Sequence, residues 1–98
     1  MFIPCEQAKA LVKDHQGQLV DVRTPQECMM EPIPGAINIP LHEIDQVAGQ
    51  KLNKDLPVIV FCRSGQRSYM AQQILMGQGF ASVHNLGPSM AWYQCPDV

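Results

Sequence analysis

The sequence predicts an α/β domain, a small and mostly parallel central sheet flanked by helices on both faces. Three observations predict it. Helical and extended patterns alternate along the chain, which is how βαβ units are built. The extended runs are short, apolar and nearly continuous, as in strands covered on both faces. Finally, 98 residues are enough to enclose one core, and no repeat, low-complexity tract or linker divides them, so a single domain over 1–98 is expected.

The elements follow in order. Pro4 to Lys13 reads as a helix, with Pro4 suited to a first turn and Ala8, Leu11 and Val12 forming one apolar stripe; Gly17 lets it stop. Leu19 to Val22 is a buried strand interrupted only by Asp21. Thr24-Pro25 supplies an N-cap and a first-turn proline for a short helix through Glu27 to Met30, and Pro32, Pro34 and Gly35 force a turn. Ala36 to Ile39 is a second short strand. Leu41, Ile44 and Val47 mark a helix ended by Gly49. Val58-Ile59-Val60-Phe61, introduced by Asp55-Leu56-Pro57, is the strongest strand and is expected at the centre of the sheet. A helix with Met70, Ile74, Leu75 and Met76 toward the core closes at Gly77 or Gly79. Phe80 to Leu86 is the last strand, with Val83 at its middle, and Met90 to Tyr93 a final helical turn.

Composition narrows the function. The chain is 46% hydrophobic and 16% charged, with a formal charge of −2, so it lacks the basic field that grips nucleic acid. No apolar run is long enough for a membrane span, and the first residues do not read as an export signal. A cytoplasmic setting is therefore expected, with neither nucleic acid nor membrane as partner. Cys5, Cys28 and Cys95 are expected to be free thiols packed as small hydrophobes. Their spacing lacks the paired Cys-x-x-Cys of zinc sites, and no metal or cofactor is expected.

The chemistry concentrates between Cys62 and Ser68. A loop that leaves the carboxyl end of a central parallel strand and enters a helix gathers amide N–H groups and the positive end of the helix dipole. Gly65 lets the backbone curl into positive φ, so that amides of Arg63, Ser64, Gly65, Gln66, Arg67 and Ser68 can point inward as an anion-binding nest. Cys62 at the mouth of such a loop is expected to ionise at neutral pH and act as a nucleophile. Arg63 and Arg67 add positive charge, and a guanidinium can hold two oxygens of a sulfonate or phosphate.

The chain resembles the rhodanese (thiosulfate sulfurtransferase) family, in its small single-domain form. The resemblance runs through DVRTPQE at 21–27, IPGAINIPL at 33–41, VIVFCRSGQRS at 58–68, the helix of Ala71 to Leu75, GF at 79–80 and NLGPSMAW at 85–92. It implies a rhodanese-like fold in which Cys62 accepts sulfur as a persulfide, the 63–67 amides cradle it, and Arg67 helps bind the donor. Thiosulfate or a similar anion would be that donor, and cyanide or a cellular thiol, including a protein thiol, the acceptor. The chain departs from the family pattern at Cys28, Glu31, Pro32 and Pro88.

Asp21 and Arg23 are expected at the same edge of the sheet as Cys62, supporting the site from behind, with Asp21 bonded locally and Arg23 paired with Glu27 four residues on. His15, His42 and His84 are read as surface or turn residues, and Trp92 and Tyr93 as fasteners of the last helix. Two other classes compete. A cysteine phosphatase or arsenate reductase also sets a thiolate in an amide nest, but it places five residues between cysteine and arginine, whereas Cys62 and Arg67 enclose four. A non-enzymatic sulfur-carrier or interaction module is the other; in an interaction module the loop cysteine would normally be replaced, so Cys62 argues against that form.

Overall fold

The computed structural model describes residues 1–97. Four parallel strands, β1 (Gln18–Asp21), β2 (Ile37–Asn38), β3 (Val58–Cys62) and β4 (Val83–Pro88), form one sheet in the order β2-β1-β3-β4. β3 is central and buried throughout, as its β-branched run demands. Its residues alternate between the two faces. Val58 and Val60 enter one core with Val20, Ile44, Ala48, Ala71 and Leu75; Ile59 and Phe61 enter the other with Ala8, Leu19, Ile33 and Leu86. Burying Phe61 alone contributes about 3 kcal/mol. Asp21 pairs in register with Phe61, so β1 and β3 end at one edge, where the Cys62 loop begins.

Helix α1 (Cys5–Asp14) starts after Pro4 and lays Ala8, Leu11 and Val12 on the second core. Helix α2 (Pro25–Met30) is closed by a capping box: the Thr24 side chain accepts from the Glu27 N–H, and the Glu27 carboxylate accepts from the Thr24 N–H. On the opposite face, a 3-10 turn (Leu41–Glu43) leads into α3 (Ile44–Lys51), beside α4 (Gln66–Gly77). A second 3-10 helix, Ser89–Tyr93, ends the fold. Its Trp92 packs on the second core, as expected of a fastener, while Tyr93 stays exposed.

Several local expectations are corrected. Gly49 does not end its helix, which runs on to Lys51; a glycine there costs only about 1 kcal/mol, less than the burial of Ile44 and Ala48 on the same helix. Met70 and Met76 face solvent. The phase of α4 is set at its start, where Ser68 turns inward, so that Ala71 and Leu75 follow on the buried face. The last strand begins at Val83 rather than Phe80, although Phe80 is still buried.

The largest correction concerns the thiols. Cys5 and Cys95 are not free: they form a disulfide with Cα atoms 6.0 Å apart across a sequence separation of 90. The first turn of α1 and the C-terminal tail meet there, and Lys9 fixes the meeting. Its Nζ donates to the Cys95 carbonyl at 2.8 Å, pairs with Asp97 at 2.9 Å and stands 5.0 Å from the centre of the Trp92 ring. Such a bond is characteristic of oxidising compartments, so the fold lends no support to the cytoplasmic expectation. No helix among the described residues is long and apolar enough to cross a membrane.

Candidate active site

Cys62 is the last residue of β3 and is fully buried. The chain turns sharply after it through Gly65, at φ 104°, and enters α4 at Gln66. That left-handed turn, which glycine adopts without penalty, aims the Gly65 N–H at the Cys62 Sγ, 2.9 Å away. The Ser68 hydroxyl lies 3.4 Å from the same sulfur. Burial pushes the thiol pKa up, but the Ser68 hydroxyl and the N–H groups of Ser68, Gly65 and Ser64 outweigh it and hold Cys62 below the ordinary cysteine range. Cys28, by contrast, is raised by burial first and by the Asp21 carboxylate second. The two free thiols are thus shifted in opposite directions.

The two loop arginines differ. Arg63 is exposed and lines a cleft of about 520 Å³ with Arg23, Glu27, Met30 and Met90. Arg67 is half-buried and engaged: its Nη1 and Nη2 donate to the two Glu27 carboxylate oxygens at 2.7 and 2.9 Å. This bidentate pair, with the Thr24 N–H, holds the Glu27 carboxyl down at about 2. Arg67 is correspondingly raised by the Glu27 hydrogen bond, and the Cys62 thiolate is among the charges that favour its protonated form. Ser64 and Gln66 are exposed around the loop.

Asp21 and Arg23 sit beside the loop, as expected, but pair with each other. Both are buried. Arg23 Nε and Nη2 donate to the Asp21 carboxylate at 3.0 and 2.8 Å, and Nη2 also donates to the Glu31 carbonyl at 2.8 Å. The expected Arg23–Glu27 pair is therefore corrected, because Glu27, fixed at the start of α2 by its cap, faces Arg67 across the site. A buried pair so fully bonded fixes geometry more than it adds stability, and here it ties the end of β1 to the turn after α2.

The Glu27–Arg67 pair is the contact at the loop that sequence reasoning missed. The Thr24-x-x-Glu27 spacing marks a capping box, yet only the fold brings Arg67, forty positions on, against it. A groove of similar volume, about 540 Å³, lies between α1 and the tail and includes no loop residue. Donor atoms of Cys5, Glu6 and Cys95 cluster within 4.8 Å, but the two sulfurs are bonded to each other and offer a metal no thiolate.

Known proteins match the chain in sequence and in fold. The family model of the Rhodanese-like domain matches residues 5–94. A sulfurtransferase of Allochromatium vinosum is 45% identical over 75 residues, which are 76% of this chain and 69% of that protein. The thiosulfate sulfurtransferase PspE of Escherichia coli is 39% identical over 69 residues, 69% of this chain and 66% of the relative. Among solved structures, a rhodanese with anions from E. coli superposes with a TM-score of 0.74 at 34% identity, covering 84% of this chain and 96% of the other. The chain belongs to the rhodanese-like domain family, and the two curated relatives above are named sulfurtransferases.

Proposed function

We propose that the protein is a thiosulfate sulfurtransferase that carries sulfur on Cys62 as a persulfide. The observation that carries this reading is the single sulfur enclosed by its own loop, with the Gly65 N–H at 2.9 Å and the Ser68 hydroxyl at 3.4 Å. Thiosulfate, or another sulfane-sulfur anion, docks its sulfonate on Arg63 in the open cleft, within the field of Arg67. The Cys62 thiolate attacks the outer sulfur; a sulfur–sulfur bond forms as the donor's own sulfur–sulfur bond breaks, and sulfite leaves with the electron pair. The amides that stabilise the thiolate then face the persulfide anion, in the manner of an oxyanion hole. Cyanide, or a thiol acting as the cellular acceptor, attacks the outer sulfur, and the returning electron pair restores the Cys62 thiolate. Every step balances without a cofactor or a metal.

Ser64, Gln66 and Ser68 complete the substrate loop in this reading, and the Asp21–Arg23 pair holds the sheet edge behind it. The E. coli relative solved with anions is in keeping with an anionic donor. A phosphatase or arsenate reductase is disfavoured by the four-residue spacing from Cys62 to Arg67, too tight for a phosphate. The test is a paired assay of the purified protein: thiocyanate formed from thiosulfate and cyanide, beside hydrolysis of a phosphate ester. Thiocyanate formation with no phosphate release is expected. Phosphate release without thiocyanate would overturn the reading.

A further inference from the structure

The nest depends on one backbone turn, and that turn has an aromatic ring lying on it. A Cβ added at Gly65 would fall 2.6 Å from Cζ of Phe2, and one added at Gly87 would fall 2.8 Å from the same ring. Both glycines are at positive φ, 104° and 87°. The Phe2 ring therefore rests directly on two bare Cα positions, one in the Cys62 loop and one in β4, where any side chain would collide with it.

The segment that carries this ring is pinned. The Ile3 N–H donates to the Asn85 carbonyl at 2.8 Å. The Asn85 side chain, itself buried, accepts from the Gly87 N–H at 2.9 Å and donates to the Gly65 carbonyl at 3.4 Å. Two residues beyond Ile3, Cys5 is bonded to Cys95. A register shift between Val60 and Phe61 leaves Leu86 without a partner on β3 and sets Gly87 opposite Phe61, at the place in the strand that the ring covers.

We infer that Phe2 is a positioning residue for sulfur transfer, its ring holding the left-handed Gly65 turn in the one orientation that points the Gly65 amide at Cys62. Glycine has no side chain to restrict it and samples many backbone conformations. A donor stabilises a developing charge fully only when its direction is fixed in advance. The ring supplies the restriction that Gly65 lacks. Phe2 touches neither substrate nor sulfur and acts only through Gly65. The inference rests on the reading of Cys62 as the reactive thiolate.

The experiment compares the parent protein, disulfide intact, with Phe2→Ala, Phe2→Leu and Phe2→Tyr. The pH profile of iodoacetamide alkylation, mapped by peptide analysis to Cys62, is read beside kcat and KM for thiosulfate. In Phe2→Ala the alkylation midpoint moves up toward that of ordinary cysteine. Its kcat falls by about tenfold, less than the loss of a whole donor would cause, while KM for thiosulfate changes by less than about twofold because Arg63 and Arg67 are untouched. Phe2→Tyr, with the same ring, restores the parent profile, and Phe2→Leu falls between. The leucine variant also decides the matter if alanine at this position prevents folding. A Phe2→Ala or folded Phe2→Leu protein with the parent's midpoint and kcat would overturn the inference alone. A parent Cys62 that titrates as an ordinary thiol would overturn the thiolate reading and this inference with it.

Discussion

The Cys62 loop and the Cys5–Cys95 junction use the same element in opposite ways. At the loop, a buried sulfur is surrounded by an amide and a hydroxyl within 3.4 Å, which lower its pKa, and it is left unbonded. At the junction, two sulfurs are bonded to each other, and their chemistry is spent on closing the chain. The difference teaches that local sequence sets reactivity and global fold sets pairing. The groups that touch Cys62 and lower its pKa come from residues 64–68, whereas what joins Cys5 to Cys95 is the arrival of the C-terminal tail beside α1.

The hardest test of that contrast is to exchange the sulfurs for oxygens one at a time. Cys62→Ser should lower sulfur transfer by at least about a thousandfold, because an alcohol is a far weaker nucleophile and cannot hold a persulfide. Cys28→Ser should retain activity, since its thiol is held neutral. Intact mass after thiosulfate treatment should show one added sulfur, mapping to Cys62 and removed by cyanide. Transfer activity in Cys62→Ser would place the reacting sulfur elsewhere.

The junction should answer to stability instead. Its bond closes a loop spanning nearly the whole chain, with a separation of 90 residues, and cross-links of that kind contribute about 2–4 kcal/mol, chiefly by restricting the unfolded chain. Reduction, or Cys5→Ser or Cys95→Ser, should therefore lower the thermal midpoint by roughly 10–20 °C, with sulfur transfer persisting below the transition. A midpoint unaffected by reductant would mean that the bond is not formed in solution.

These two regions also mark how far the sequence could be read. The fold class was legible because the alternation of patterns survives small errors of boundary: β1, α2 and β3 all lie within a residue or two of where their residues place them. The Cys62 loop was legible because strand, cysteine, glycine and helix are adjacent in the chain. What joins distant positions was not. Nothing local marks Cys5 and Cys95 as partners, or Glu27 as the partner of Arg67, or Phe2 as a cover for Gly65. The phase of α4 was misjudged for a related reason. Met70 and Met76 are more apolar than Ser68, but it is Ser68 that the nest draws inward.

A finer probe of the loop is Arg67→Lys. Lysine keeps the charge but not the planar fork that grips Glu27 through two nitrogens. Losing one charged hydrogen bond's worth of order, about 1 kcal/mol, should raise KM for thiosulfate roughly fivefold. The protein should stay folded, because the Asp21–Arg23 pair and both cores are untouched. Unchanged kinetics would leave Arg67 with a purely structural duty.

The smallest expected effect lies in the acid limb of stability, and it isolates the Glu27–Arg67 pair. The Glu27 carboxyl is lowered from its ordinary 4.5 to about 2, first by Arg67 and then by the Thr24 N–H. A carboxylate whose pKa falls on folding contributes its full stabilisation above the unfolded value. It loses that contribution as pH drops from about 4.5 through about 2, when the folded protein too must take up the proton. Both side chains are about one-third exposed, at 35% and 28%, so solvent screening limits the contribution to about 1 kcal/mol. Urea midpoints measured across that window should fall more steeply in the parent than in Glu27→Gln, which has no proton to gain there, and 1 M salt should narrow the gap. Parallel curves would show that the pair does not hold in solution. Arg67 would then stand free beside Arg63, and the loop would meet its donor with two unengaged guanidinium groups instead of one.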